Sequence, residues 1–179
     1  MLNNEISLHV PTFKELYYRQ TILSQPDTMD YNKGYELNFI GYHKDSGCID
    51  FPKNQWVKWY SHWIDNKPIS YYAYIQRDID HKFIGEVNLH YKSEHDWYDI
   101  GIIMEGKYRG LGYSKQALHK LLIVAFEEYQ AKAVHNEFEN YRTKAFKLHQ
   151  DEGFNIISNK NDIINFLIEE KDFRKLLVK

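Results

Sequence analysis

Polar and apolar residues alternate along 5–10, with Ile6, Leu8 and Val10 on one side, and this period of two predicts an opening strand. Pro11-Thr12 interrupts it. Thr12 followed three residues later by Glu15 has the spacing of a capping box, which predicts a helix over 13–23. Residues 24–52 show no regular period. Gly34, Gly41 and Gly47 are spread among Tyr31, Tyr35 and Tyr42, and a short helix at 35–40 is the one element suggested there. So long a stretch without a pattern is often functional. Helical spacing returns at 53–64, where Trp56, Trp59, Tyr60 and Trp63 share a face. Aromatic and β-branched runs then predict strands at 70–76, 83–91 and 97–104, with connections too short for crossovers, so the three form an antiparallel meander. The stripe Ala117, Leu118, Leu121, Leu122, Ala125 and Phe126 predicts a helix over 114–129. A strand at 133–138, a helix at 143–152 ended by Gly153, and strands at 154–157 and 163–168 around the turn Asn159-Lys-Asn-Asp complete the series. The layout is mixed α/β, one sheet flanked by helices.

A length of 179 residues suits one domain, 1–179. The formal net charge of -2 provides no global field for nucleic acid or an anionic membrane surface. Cys48 is the only cysteine, so no intrachain disulfide forms. The opening Met1-Leu-Asn-Asn-Glu-Ile lacks the basic and apolar regions of a secretory leader, and 121–126, the most apolar run, is too short to span a bilayer. These features set the expectation of a cytoplasmic protein with neither a membrane nor a nucleic-acid partner.

The strongest candidate chemistry lies where a predicted strand meets the clearest predicted helix, in Ile102-Ile-Met-Glu-Gly-Lys-Tyr-Arg-Gly-Leu-Gly-Tyr-Ser114. Gly110 and Gly112 permit close backbone approach to a ligand. The first amides of the following helix have no internal partner, and its dipole adds partial positive charge. Such a terminus holds an anion such as pyrophosphate, with Lys107 and Arg109 adding charge. A two-glycine turn before a helix is also an ordinary strand-to-helix connection. The third glycine of a dinucleotide fingerprint is missing, and no Gly-Lys-Ser/Thr of a P-loop follows.

The run Arg109-Gly-Leu-Gly112-Tyr-Ser114 resembles the R/Q-x-x-G-x-G/A signature of the GNAT acyltransferase superfamily, and Ala145-Phe-Lys-Leu-His-Gln-Asp-Glu-Gly153-Phe154 resembles its second motif. Ile84-Gly-Glu and the acidic, aromatic close Glu169-Glu-Lys-Asp-Phe173 are similar to the family as well. The resemblance runs from about residue 70 onward. It implies a GNAT-like fold, a central, mostly antiparallel mixed sheet flanked by helices, and acetyl-CoA as co-substrate with no metal. It further implies that the backbone of Ile102, Ile103 and Met104 binds the pantetheine arm, and that the amides of Gly110, Leu111, Gly112, Tyr113 and Ser114, with Arg109 beside them, hold the pyrophosphate. Two positions depart from the pattern. Ser114 stands where Gly or Ala is usual, and Arg142 stands where the family places a cofactor-contacting Asn, with Asn140 two residues earlier.

Direct acetyl transfer to an amine needs a proton acceptor. Glu86 and Asp99, on neighbouring predicted strands, are the candidates, with Glu105 behind them; each also reads as an ordinary exposed or ion-paired carboxylate. In the family pattern the position four residues before Gly-Phe is a Tyr that protonates the departing thiolate. Here it is His149, whose imidazole has a reference pKa of about 6.5 suited to that role, though a helix histidine that merely packs or meets solvent is an equal reading. The tryptophan stripe reads as core packing ahead of a pocket wall, and His81, His90 and His95 show no metal-ligand spacing. The segment 24–52, bearing Asp27, Asp30, Glu36, Asp45 and Asp50, is expected to cover the acceptor end and favour a cationic primary amine on a small molecule or a protein. The resemblance admits a homodimer. Two other readings share these features: a non-catalytic acyl-CoA-binding regulatory module, and a transferase for a longer acyl chain.

Overall fold

The computed structural model describes residues 5–178. Seven strands form one sheet: β1 (Ile6–His9), β2 (Ser70–Arg77), β3 (Phe83–Lys92), β4 (Trp97–Met104), β5 (Ala133–Glu139), β6 (Asn155–Lys160) and β7 (Ile163–Glu169), in the spatial order β1-β2-β3-β4-β5-β7-β6. Every neighbouring pair is antiparallel except β4 with β5. The helices are α1 (Leu16–Leu23), α2 (Pro26–Met29), α3 (Lys53–Trp63), α4 (Tyr113–Ile123), α5 (Thr143–Asp151) and α6 (Glu170–Leu177). The mixed α/β sheet flanked by helices is the expected architecture.

Alternation along the strands sorts the side chains between two faces. Tyr71, Ala73 and Ile75 of β2, with Val87 and Leu89 of β3, join the core under α4, where Ala117, Leu118, Leu121 and Leu122 are fully enclosed. α5 and α6 close the same face through Ala145, Phe146, Leu148 and Phe173. Tyr72 and Tyr74 point the other way, to Tyr18 and Ile22 of α1 and to Trp59 and Trp63 of α3. The tryptophan stripe is therefore packing: Trp59 meets Tyr72 edge-on with centroids 4.6 Å apart.

Three expectations change. Residues 35–40 are not helical. They lie between Gly34 (φ +87°) and Gly41 (φ +92°), and Leu37, Phe39 and Ile40 remain exposed, so one helical turn there gains no buried face to offset its nucleation. The helical turns come earlier, at α2 and at a 3-10 turn Asp30–Asn32. The long helix after β4 ends at Ile123 and continues as a π-helical turn, Val124–Glu128. α6, left unassigned by the strand pattern, is held by Phe173 stacking on Phe126 at 5.1 Å. The turn at Gly153 behaves as expected: with φ +83° it lets its own amide reach Gln150 O (3.0 Å) and that of Phe154 reach His149 O (3.0 Å), closing α5.

Candidate functional site

The parallel ladder between β4 and β5 has two rungs, Tyr98↔Val134 and Asp99↔His135. Beyond them β4 pairs only with β3, up to Met104, and β5 pairs only with β7, up to Glu139. The facing backbone edges of 100–104 and 136–139 therefore have no strand between them, and the sheet opens as a wedge with its apex at Asp99 and His135. Ile102 packs toward the α4 core and Ile103 toward α1 and α3, so this free edge runs along the middle of the protein.

The wedge leads directly to the glycine turn. A 3-10 turn, Gly106–Tyr108, follows β4, and Gly110 (φ +78°) and Gly112 (φ +86°) bend the chain into α4 in conformations that few residues other than glycine adopt. A Cβ at either glycine would meet no other atom within 4 Å, so the surface above the turn is open. Gly112, the N-cap residue of α4, has no side chain to cap it. Leu111 is exposed, and Tyr113 is buried beneath the turn. Open space over an uncapped helix terminus fits an anionic ligand.

Both flanks of the wedge are bound to one short segment. Arg109 sends Nη1 to Asp30 Oδ1 (2.8 Å), Nη2 to Thr28 O, and Nε to Met104 O (3.2 Å). Arg142 donates from Nη2 to Tyr31 O (3.1 Å) and to Tyr35 Oη (2.9 Å), while its Nε is ion-paired with Glu139 (2.6 Å). Thus 28–35 forms a strap across the open end, fastened at the β4 side by Arg109 and at the β5 side by Arg142. Beside it lies an open depression of about 420 Å³ between Tyr31, Tyr35, Tyr141 and Arg142. Asn140, at the end of β5, is exposed and donates its amide to Asp162 O (2.8 Å).

The carboxylates singled out in the sequence lie on the strap's side of the sheet, each already engaged. Glu86, 1% exposed and opposite Ile103, is ion-paired with Arg19 and accepts the Tyr72 hydroxyl. The Arg19 guanidinium lies over Trp59 (4.8 Å), Phe51 (5.3 Å) and Tyr72 (5.6 Å). Arg19 was missed in the sequence; its signal was one cation within a helix whose neighbours Tyr18, Ile22 and Leu23 are core. Asp99 accepts from His135 Nδ1 (2.8 Å) and Trp97 Nε1 (3.1 Å), with Lys92 at 3.6 Å. Burial acts the other way, yet these partners hold its carboxyl below the ordinary range. His135 faces Asn165 Oδ1 with Nε2 (3.0 Å), so both ring nitrogens meet oxygens; although burial opposes it, the hydrogen bonds raise its pKa. Glu105 accepts the Tyr18 hydroxyl (2.9 Å) and pairs with Lys107 (3.0 Å). Among the described residues no group of three or more His, Cys, Asp or Glu is placed to hold a metal ion.

His149 sits on the opposite face, 3% exposed among Phe138, Phe154 and Phe166. Its Nδ1 donates to Ala145 O (2.8 Å) and its Nε2 accepts from the Asn136 amide (2.9 Å). Burial lowers its pKa from 6.5 to about 4. A neutral ring whose one proton is bound to a helix carbonyl has none to give a thiolate at neutral pH, so the acid role expected from the sequence does not fit this environment. The environment has a stability consequence. The unfolded chain takes up this proton below about pH 6.5, whereas the folded chain resists until about pH 4. Stability from this group is complete above pH 6.5 and falls by about 1.4 kcal/mol per pH unit through that window. Urea unfolding at pH 7 and pH 5 should show the loss, and His149→Phe should flatten it; an equal slope in the variant assigns it to other groups.

Comparison with known proteins agrees with this geometry. Residues 11–155 match the family described as the acetyltransferase (GNAT) domain. No curated protein matches the chain significantly. Among solved structures, spermidine N-acetyltransferase from Vibrio cholerae in complex with CoA and spermine superposes with a TM-score of 0.75 at 14% identity, covering 96% of this chain and 99% of that one. FdhC, a nucleotide-linked sugar GNAT, gives 0.74 at 18% identity, covering 98% and 92%. Campylobacter jejuni N-acetyltransferase PseH in complex with acetyl coenzyme A gives 0.55 at 15%, covering 65% and 79%. Identities this low speak to the fold, while the family match spans most of the sequence and includes the glycine turn: the chain belongs to the GNAT acetyltransferase family.

Proposed function

We propose that this protein transfers an acetyl group from acetyl-CoA to a cationic primary amine by direct attack within a ternary complex. The observation that carries the reading is the continuity of the free β4 edge with the open, uncapped start of α4. A pantetheine arm laid along Ile102, Ile103 and Met104 runs beside the edge of β4 that no strand pairs beyond Asp99, as an added strand does, and its pyrophosphate then lies at the amides of 110–114. Arg109 is committed to the strap, so the amides and the helix dipole carry the phosphate. Arg142, in the place of the family's Asn, is likewise committed to the strap, and Asn140 is the nearby side chain open to the cofactor. Asp99, at the wedge apex and partly exposed, is the carboxylate that a proton from the amine reaches most readily, directly or through water. Glu86, enclosed with Arg19, shapes the floor beneath.

The acceptor assignment rests on charge. Residues 24–52 carry five carboxylates against two lysines. Asp30, Glu36 and Asp50 are paired with Arg109, Lys44 and His43, and Asp27 and Asp45 form no ion pair among the described residues. The spermine-bound neighbour is consistent with a polyamine; the sugar-linked neighbour motivates amino sugars as the comparison class. Release of CoA thiol should be fastest with polyamines, aminoglycosides or lysine-bearing peptides and slow with neutral amino sugars. A preference for neutral or anionic amines overturns the acceptor assignment, and absence of thiol release with every amine overturns the enzymatic reading in favour of a binding module. Mass spectrometry of co-purified CoA species distinguishes acetyl from longer acyl chains.

A further inference from the structure

Asn88 of β3 lies across β4 at Gly101. The two residues are register partners, and a Cβ built on Gly101 would meet Asn88 Nδ2 at 2.6 Å and Oδ1 at 3.1 Å. The φ of Gly101 is outside the left-handed region, so what a larger residue there would lack is room, not a permitted backbone. The missing Cβ is the gap that lets a β3 side chain extend over the β4 backbone. That gap falls where β4 has parted from β5, two residues beyond the apex at Asp99. Among the described residues no hydrogen bond occupies the Asn88 carboxamide, and neither of its polar atoms is enclosed. From this placement we infer that Asn88 is a catalytic residue: its Nδ2 donates to the thioester carbonyl oxygen and holds the charge that develops there as the amine attacks. The inference rests on the acetyl-CoA site proposed above. In that site the pyrophosphate lies at 110–114 and the arm follows β4 back from Met104, so its thioester end arrives beside Gly101.

Acyl transfer needs a donor aimed where the oxyanion forms. Neighbouring donors on this face of the sheet are spent. The Tyr18 hydroxyl is on Glu105, the Tyr72 hydroxyl on Glu86 and the Trp97 indole on Asp99. Arg19 gives Nη1 to Glu86, and its Nε is enclosed. His90, next along the same face of β3, turns its ring to His62 and Trp63, each 5.6 Å away. Asn88 has its donors in hand, and its half-buried position strengthens a hydrogen bond made there. A carboxamide also keeps its protons, so it serves the oxyanion without competing for the proton of the amine. In the step itself the amine nitrogen bonds to the carbonyl carbon, and the carbonyl π pair moves onto oxygen against the Asn88 N–H. The pair then returns, the carbon–sulfur bond breaks with its electrons on sulfur, and the proton lost by nitrogen reaches sulfur through water. The sum is amine plus thioester to amide plus thiol, with Asn88 unchanged.

Two measurements test this. Because the carboxamide has no partner in the protein, Asn88→Leu takes no hydrogen bond from the fold, and the variant should stay folded. In steady-state kinetics its kcat should fall by about a hundredfold, the lower range for loss of one oxyanion donor, with the KM values of both substrates nearly unchanged. Asn88→Asp keeps an acceptor oxygen and loses the donors, and its kcat should fall at least as far. Unchanged kcat in Asn88→Leu overturns the inference. So does an Asn88→Asp variant that keeps kcat and lowers acceptor KM, which makes the residue a seat for the ammonium. The second measurement needs no acceptor: infrared difference spectra of bound acetyl-CoA isotope-labelled at the carbonyl carbon. A hydrogen bond to the oxygen weakens the carbonyl bond, so its stretch should lie at lower frequency in wild type than in Asn88→Leu. Equal frequencies in the two proteins overturn the inference and leave the cofactor site standing. Failure of wild-type protein to bind acetyl-CoA in calorimetry overturns both.

Discussion

Gly112→Asp should reduce CoA affinity by well over tenfold while the protein remains folded. The substitution replaces the residue that precedes α4, at φ +86°, where a new Cβ meets no other atom within 4 Å. The backbone strain is modest, because Asp is among the residue types that enter the left-handed region, and Asp before a helix is a favourable cap for its first amides. The free protein is therefore little harmed. The ligand is harmed twice: the carboxylate takes the amides assigned to the pyrophosphate, and it sets a negative charge against the phosphates. A tenfold loss requires only about 1.4 kcal/mol, and either effect in a partly desolvated turn reaches that. Gly112→Ala, which adds the Cβ without the charge, should lose much less. Calorimetric titration of CoA into each variant, with circular dichroism to establish folding, is the measurement. Unchanged affinity in folded Gly112→Asp places the pyrophosphate elsewhere.

Much of the fold, and the glycine turn on which the proposed cofactor site rests, is legible in the chain because both depend on local rules. Glycines 110 and 112 announce a turn at positive φ, the stripe from Ala117 to Phe126 announces a buried helix, and the two stand in one continuous stretch. The remainder depends on contacts distant in sequence. Arg109 and Arg142 are read as charges near a phosphate until the structure shows them fastening 28–35, a contact separated by 79 residues in one case and 111 in the other. His149 occupies the helix position expected to serve the thiolate, but whether an imidazole there is an acid depends on Asn136, Phe138 and Phe166, which β5 and β7 deliver. Helix α6 went unread because its tertiary anchors, Phe173 and Leu176, are few and stand amid charges. Regular apolar spacing carried through where a helix or strand buries a face, and it failed at 35–40, where no face is buried, and at His149, where partners from other elements decide the chemistry.

Arg19→Met should destabilise the protein by roughly 3–5 kcal/mol, the cost of leaving a buried carboxylate without its countercharge. Glu86 is 1% exposed, and its partners are Arg19 and the Tyr72 hydroxyl; the Arg19 side chain retains 18% of its surface and is enclosed by Phe51, Trp59 and Tyr72. Removing the cation leaves Tyr72 alone to answer a charge that water barely reaches. The double substitution Arg19→Met with Glu86→Leu removes both charges while keeping comparable apolar volume, and should recover most of the loss, because a buried pair contributes little net stability over a well-packed apolar replacement. The interaction energy between the two sites, taken from urea unfolding of both single variants and the double, should therefore be large and favourable in the wild type. The same set separates structure from catalysis at Glu86. As part of the floor, Glu86→Gln alters stability and acceptor KM and leaves a measurable kcat. As the proton acceptor, Glu86→Gln abolishes kcat in a folded protein. An Arg19→Met variant within 1 kcal/mol of wild type shows instead that solvent reaches this pair, and a Glu86 freed in that way returns to candidacy as the base.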